Sequence, residues 1–532
     1  MKRKRGDGMR DDICPDVLII GGGPTGLALA VALRQHGLDV AVVDKKPGTQ
    51  REVRASVIWQ RALEILRDLG CADRFVDSGL PLRRAEMYVQ GRRVGGHETA
   101  VEHTAFPRPL GIEQVAMESL LAERLAALGT EVRWETEAVA VRPGTVGAEV
   151  DVRGPDGRLR TIGCRWVVGC EGAHSLVRKT LGIAFEGERR ADLQALQINA
   201  VPEWKYPVAP DVTYFFLERR VCLIASPRPG GGYRFFSFCQ DPDPRRVEAP
   251  DAAEMRDLIA RAAHDPDTRL TATDPRWLNR ARFHDRLAAS LREGPALLAG
   301  DSAHMWAPVG GRGLNTGFRG AHNLAWKLAA VHRGWAVDAL LDTYSAEQRR
   351  TAQEIMRQMR RNLLELPPAP LTLAAMRLLG PALMGSERFS RRGRMLLSEL
   401  PRHHRASELS TDKGGRGALR AGDRLPDLPV GEHGKRGGVH DLLSYDRWTL
   451  LIVGAGDAIG NDQQFAPLSR LIGRYAIPAE VCVLRPGQLD DGALPGDTML
   501  LVRPDGHIGL RARLGDRKAL EDYLRRWFLP RS

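Results

Sequence analysis

The feature that most constrains this chain is a glycine cluster set between a strand and a helix. Asp16-Val-Leu-Ile-Ile20 is a short apolar run rich in β-branched residues. It ends at Gly21-Gly22-Gly23-Pro24-Thr25-Gly26, and Leu27 to His36 then reads as a helix. A second apolar run, Asp39 to Val43, stops at Asp44, 18 residues beyond Gly26. That is the spacing of a dinucleotide-binding βαβ unit: Gly21 permits the tight turn, Gly23 lets backbone approach a pyrophosphate, and Gly26 lets helix pack on strand. Asp44 is placed to hold a ribose hydroxyl, and the electropositive helix start attracts the phosphates.

Two more stations follow the same plan. Arg165-Trp-Val-Val-Gly-Cys-Glu-Gly172 is an apolar strand ending in a turn, followed by Ala-His-Ser175-Leu-Val-Arg178. Gly294-Pro-Ala-Leu-Leu-Ala-Gly300 is a buried strand that delivers Asp301, and a glycine-rich loop, Pro308 to Gly317, leads into a helix expected over Phe318 to His332. A strand-borne carboxylate, a loop and a helix N-terminus suit a polyhydroxylated chain and an anionic ring.

A chain of 532 residues exceeds one ordinary core, so several domains are expected at about 150 residues each. Hydrophobic residues at 43% and charged residues at 27% place it among globular proteins. The net charge is +12, but the first ten residues alone hold five basic residues and one acidic, leaving a body too weakly basic to indicate nucleic acid. Seven cysteines, without a C-x-x-C pair, read as reduced cytosolic thiols rather than metal or dithiol sites. No apolar run approaches the roughly 20 residues of a membrane span, and Val17 to Ile20 is too short for a signal peptide. A cytoplasmic protein is expected.

Together the three stations resemble the FAD-dependent aromatic hydroxylases, flavoprotein monooxygenases of the para-hydroxybenzoate, phenol and polyketide hydroxylase type, from about Asp16 to Ala352. The segment Gly300-Asp-Ser-Ala-His304 with Gly310-Gly-Arg-Gly-Leu-Asn-Thr-Gly317 carries the resemblance most specifically. It implies that Gly21, Gly23, Gly26 and Asp44 bind the ADP half of FAD and Asp301 the ribityl chain. Pro308, Gly311, Gly313, Leu314 and Asn315 would lie along the flavin ring. Arg54 resembles the family arginine that contacts flavin and pyrophosphate, and Gln114 a glutamine near the ribityl chain. Glu171 stands for an aspartate associated with both FAD and NAD(P)H, so Arg54 and Arg178 become NAD(P)H-contacting candidates. The FAD is expected to be non-covalent. Arg312 replaces a common glutamine and reads more readily as an outward, solvated side chain than as a tuning cation.

The expected architecture is α/β. A Rossmann-like FAD-binding domain (15–188 and 275–400) holds an inserted, mainly antiparallel β-sheet substrate domain (189–274). A basic tail (1–14) precedes it, and a linker (401–420) and a thioredoxin-like C-terminal domain (421–532) follow. Cys482 is the only cysteine of that last domain, so its role would be structural or an oligomer contact, as in a homodimer. In the sheet, Phe215, Phe216, Phe235, Phe236 and Phe238 offer rings, of which alternation lets about half face one side. Tyr214 and His284 are weak catalytic candidates for ordering a phenol.

The resemblance implies that NADPH or NADH reduces FAD, that dioxygen adds at the flavin 4a position, and that the resulting hydroperoxide hydroxylates a small aromatic molecule, a phenol or polycyclic polyketide. Three rivals share the scaffold. A halogenase would want a W-x-W-x-I-P signature, which Trp204-Lys-Tyr-Pro207 does not supply; no motif separates Baeyer–Villiger oxygenation; and intact Arg54, Gln114, Asp301 and the glycine loop argue against flavin binding without turnover.

Overall fold

The computed structural model describes residues 14–49, 57–240, 243, 248–273, 278–360, 367–415, 417–432, 435–454, 465–485, 488–489 and 494–531. Its first unit is a six-stranded sheet whose centre is parallel. Val17–Ile20 pairs with Val40–Val43 on one side and Trp166–Gly169 on the other, and Trp166–Gly169 pairs with Ala296–Leu298. All four strands are buried throughout, which is why they read as unbroken apolar runs. The helix Pro24–Gln35, with proline at its first turn, buries Gly26 to Leu33 against this sheet and against a long helix, Arg312–His332. That helix starts six residues before the expected Phe318. Gly311, at φ 62°, takes the left-handed conformation at its N-cap, and Gly313 to Gly317 form its opening turns instead of a loop.

The second unit is a nine-stranded sheet built on Phe185–Glu203, Val212–Glu218, Val221–Pro227 and Tyr233–Gln240. It draws in Arg84–Val89, Arg92–Glu98 and Asn279–Ala288 as well, so it extends beyond the expected 189–274. Strand partners distant in sequence leave no local mark, and the period-two pattern does not show them. The helix Ala252–Ala263 covers one face, over Tyr206, Tyr214, Phe216 and Phe235. The opposite face turns toward the first unit. Pro370–Gly385 lies against the strand pair Arg84–Val89 and Arg92–Glu98, Glu387–Ser398 packs on Pro370–Gly385, and the two helices form a roof.

The C-terminal unit is a mixed five-stranded sheet in the order Thr411–Asp412, Ile508–Arg513, Thr498–Val502, Trp448–Val453, Ala479–Leu484, flanked by helices Ala466–Ile472 and Arg517–Trp527. The expected linker is integral to it: Thr411–Asp412 pairs with Leu510–Arg511, and Leu409 is fully buried. Cys482 is half-buried and its thiol is pushed up by burial. Cys482→Ser should therefore leave NAD(P)H oxidation and FAD content unchanged, a large loss of rate being the contrary result.

This unit docks through buried charge. Arg503 donates to both Glu347 carboxylate oxygens at 2.8 and 3.1 Å and to Asp505 at 3.0 Å. Asp505 also accepts from Asn323 at 3.0 Å and Trp326 at 3.1 Å, both on the long helix, whose Lys327 donates to Glu347 at 2.8 Å. Alongside, Arg424 and Arg61 each donate to Glu64 at 2.8 Å, and Arg61 reaches the Asp505 carbonyl at 2.7 Å.

Candidate functional site

Neighbouring parallel strands end at one edge of the first sheet, and each delivers a station there. Val40–Val43 ends at Asp44, Val17–Ile20 at Gly21, Trp166–Gly169 at Cys170-Glu171, and Ala296–Leu298 shortly before Asp301. In an open α/β sheet, ligands bind beyond the carboxyl ends of the strands. A cavity of about 1750 Å³ runs from this edge to the inner face of the nine-stranded sheet. The usual pocket for a drug-sized ligand is roughly 300–1,000 Å³, so this one has room for a dinucleotide and a second molecule.

The residues present fit that dinucleotide. Gly21 has φ 114°, and a Cβ there would lie 2.4 Å from the Cys170 carbonyl oxygen; at Gly26 it would lie 2.0 Å from the Gly21 carbonyl oxygen. No side chain is tolerated at either. At Gly23 nothing lies within 4 Å, leaving an open cradle at a helix N-terminus, the shape a pyrophosphate needs. Gly313 is open in the same way at the start of the long helix. The Asp44 carboxylate accepts from the Gly22 amide at 2.7 Å and the Lys46 amide at 2.9 Å, which pins the turn while the residue lines the cavity. Gln114 lines it too, its amide donating to Glu118 at 2.9 Å.

Gly21, Gly23, Asp44, Gln114, Glu171, Asp301, Pro308, Gly311, Gly313 and Leu314 all line the cavity. The longer Glu171 reaches back to accept from the Val177 amide at 2.9 Å and from the Ser302 hydroxyl at 3.2 Å; burial nevertheless raises its carboxyl above the ordinary range. It thus ties the turn of one strand to the Asp301 turn of the next. Asp301→Ala is expected to raise the FAD dissociation constant by about 10- to 100-fold, on a charge-assisted bond of about 1.5–3 kcal/mol. Fluorescence titration of the apoprotein measures this, and an unchanged constant would remove Asp301 from the site.

Other candidates are placed differently. Gly26 and Asn315 act behind the wall. Asn315 is 2% exposed and accepts from the Trp59 amide at 2.9 Å while donating to the Val57 carbonyl at 3.1 Å, bracing the start of the long helix. Arg178 is buried, donates to the carbonyls of Ser302 at 3.1 Å and Ala173 at 2.8 Å, and does not line the cavity. Arg54 lies outside the described residues. Arg312 is not an outward side chain: it is buried, lines the cavity and donates to Gln358 at 3.1 Å.

On the sheet, alternation decides. Phe215, Phe236 and Phe238 line the cavity, whereas Phe216 and Phe235 join the cluster under Ala252–Ala263. Tyr214 belongs to that far face. Its hydroxyl donates to the Pro207 carbonyl at 2.9 Å, and burial pushes the phenol up to about 12. His284, on the strand Asn279–Ala288, is not among the residues that line the cavity. Neither candidate reaches the cavity.

Sequence reading treats Arg234 as a solvated side chain on an unknown side of the sheet and does not find the rest of the polar furniture of this inner face. Arg234, 4% exposed, precedes Phe236 and Phe238 on the same side of its strand and lines the cavity. It donates to Asn199 at 3.0 Å and to Glu113 at 3.1 Å, and Glu113 also holds Arg228 at 2.8 Å. Gln197, Ser226 and His97 line the cavity as well. The Nδ1 of His97 is buried without a hydrogen-bond partner among the described residues, and burial, with Arg394 beside it, lowers its pKa. His304 stacks on Trp306 with centroids 4.8 Å apart, and burial lowers it to about 4, so both present neutral, flat surfaces. The alternation that separates the phenylalanines would also have sorted Arg234 to the side of Phe236.

The family profile described as FAD binding domain matches residues 15–359, and that described as aromatic-ring hydroxylase, C-terminal, matches residues 419–530. A 12-dehydrotetracycline 5-monooxygenase/anhydrotetracycline 6-monooxygenase of Streptomyces rimosus is 32% identical, over 97% of this chain and 99% of its own. A dialkyldecalin synthase of Streptomyces rugosporus is 31% identical over 97% and 99%. Among solved structures, the anhydrotetracycline hydroxylase OxyS from Streptomyces rimosus superimposes with a TM-score of 0.74 at 29% identity, over 98% of this chain and 100% of that one. With its FAD-binding unit, aromatic-lined cavity and ring-hydroxylase C-terminal unit, the chain belongs to the FAD-dependent aromatic-ring hydroxylases, a family of flavin monooxygenases.

Proposed function

We propose that this enzyme uses NAD(P)H and dioxygen to hydroxylate a bulky, oxygen-substituted polycyclic aromatic molecule, of the phenolic or polyketide kind. The observation that carries this reading is the composition of the inner face: Phe215, Phe236, Phe238, Phe283 and Trp306 form an apolar wall beside the single buried arginine Arg234 among the described lining residues of the sheet. A small benzoate would leave most of that wall uncovered. A polycycle covers it and presents a phenolate, enolate or carbonyl oxygen to the guanidinium.

Bound FAD supplies the redox and oxygen chemistry, which side chains cannot. The chain supplies position and field. The amides of Gly23 and Thr25, which line the cavity at the helix start, would take the pyrophosphate, and Asp301 would accept sugar-chain hydroxyls. The N-terminus of Arg312–His332 and the Arg312 guanidinium line the cavity and would favour negative charge on a bound flavin, the helix end contributing about 0.3–2 kcal/mol. The aromatic wall keeps water from the reacting centre. Neutral His97 can accept a hydrogen bond from a substrate hydroxyl, and Arg234 favours the phenolate, the better nucleophile.

A panel of phenols, hydroxybenzoates, hydroxyphenylpropionates and multi-ring quinols, scored by mass spectrometry for one added oxygen and by NAD(P)H consumption, tests the reading. Coupled turnover of multi-ring phenols is expected. Efficient coupling with a one-ring carboxylate alone would overturn it, and oxygen inserted beside a ketone would move the enzyme to Baeyer–Villiger chemistry. Ring closure without oxygen gain would align it instead with the dialkyldecalin synthase.

A further inference from the structure

Exposed apolar surface on this protein is concentrated in one place. Of the twelve large hydrophobic residues exposed among the described residues, six lie on the two roof helices: Leu371, Leu378, Leu379, Leu383, Phe389 and Leu396, with Leu371 at 86% and Leu378 at 77%. Scattered exposed leucines are ordinary, but a cluster of this kind marks a contact surface. The same stretch, 370–398, holds five arginines (Arg377, Arg388, Arg391, Arg392, Arg394) against one acid, Glu387; Arg394 pairs with Glu387 and Arg391 with Glu102 outside the stretch, so the face stays net basic. Arg392 and Leu396 are exposed and also line the cavity, so the cavity opens through this face.

Charge and shape select the occupant. Two-fold pairing with a second copy would bring one arginine-rich face against another, which like-charge repulsion opposes. An anionic surface is attracted, and exposed leucine and phenylalanine flanked by arginine are the composition of helices that lie in a membrane interface. Pro370–Gly385 has 16 residues, about 24 Å of helix, shorter than the roughly 30 Å hydrocarbon core, and no helix of the described residues is long and apolar enough to cross it. We propose that the roof helices Pro370–Gly385 and Glu387–Ser398 dock the enzyme reversibly on anionic lipid surfaces, with the cavity mouth facing the lipid in which apolar molecules accumulate. This goes beyond the proposed reaction and does not depend on it, because binding is read without substrate.

The experiment is co-sedimentation of the holoenzyme with phosphatidylcholine vesicles with and without phosphatidylglycerol, at low and high salt. Binding is expected to the anionic vesicles only and to fall with salt. The double variant Leu378→Glu/Leu379→Glu should abolish it. The pair Arg377→Gln/Arg388→Gln should weaken it about 25-fold, at about fivefold per charge. Flavin content and melting temperature of each variant report folding, and the wild-type lipid and salt dependence stands on its own should a variant misfold. Absence of binding to anionic vesicles at low salt overturns the proposal, as does a dimer in light scattering that the leucine variants disperse without any vesicle binding.

Discussion

Replacing Arg503 with alanine is expected to destabilise the holoenzyme by about 3–5 kcal/mol, the cost of leaving buried charges without their partner. Arg503 is fully buried, Glu347 and Asp505 nearly so, and Lys327 would remain as the one cation at Glu347. On the scale of domain unfolding this is a fall in Tm on the order of 10 °C. Thermal melting followed by flavin fluorescence measures it, and a shift of only a degree or two would show that the pair is compensated elsewhere. The effect carries a pH signature. Against burial, Arg503 together with Lys327 holds Glu347, and Arg503 together with His507 holds Asp505, well below the ordinary carboxylate range. A depressed folded-state pKa contributes stability above the unfolded carboxylate pKa of about 4, and that stability is lost as pH falls below it. The gap between wild type and variant should therefore be full at neutral pH and narrow in acid. For the same reason, truncation near Gly417 would strand Glu347, Lys327 and Glu64 rather than release a dispensable module.

The second large effect belongs to Arg234. Arg234→Ala should lower kcat/KM for the coupled polycyclic substrate by about 10- to 100-fold, the loss of a charge-assisted hydrogen bond of about 1.5–3 kcal/mol, while the FAD dissociation constant stays unchanged. Arg234→Lys keeps the charge but not the fork that meets Asn199 and Glu113, so it should recover only part of the loss. Steady-state kinetics with product analysis checks this; unchanged kcat/KM in both variants would mean that the guanidinium only braces the sheet. The acid limb of wild-type turnover should also lie at lower pH than in Arg234→Ala, since the cation favours the phenolate and so lowers the phenol's pKa.

Much of the flavin-binding half was legible in the chain because its signals are local. Gly21 to Gly26 form one contiguous run between a strand and a helix, and Asp44, Glu171 and Asp301 each follow directly on, or shortly after, a buried apolar strand. Strand alternation tells that only about half of the five phenylalanines share a side, but not which side faces the cavity, and the weak candidates Tyr214 and His284 do not line it. Arg312 was readable as a cation near the loop. Its burial was not, because the helix begins at Arg312 and carries the side chain inward beside Gln358.

The sequence by itself therefore determined the dinucleotide turn, the parallel strands and the order of the three units, since each is specified by residues within a few positions of one another. Only the tertiary structure decided which residues meet. Glu113 and Arg234 are 121 positions apart, and Asn323 and Asp505 are 182 apart. Their pairing is enforced by desolvation: a charge enclosed by the fold must find a counter-charge wherever the packed sheets bring one, and no periodicity along the chain records where that is.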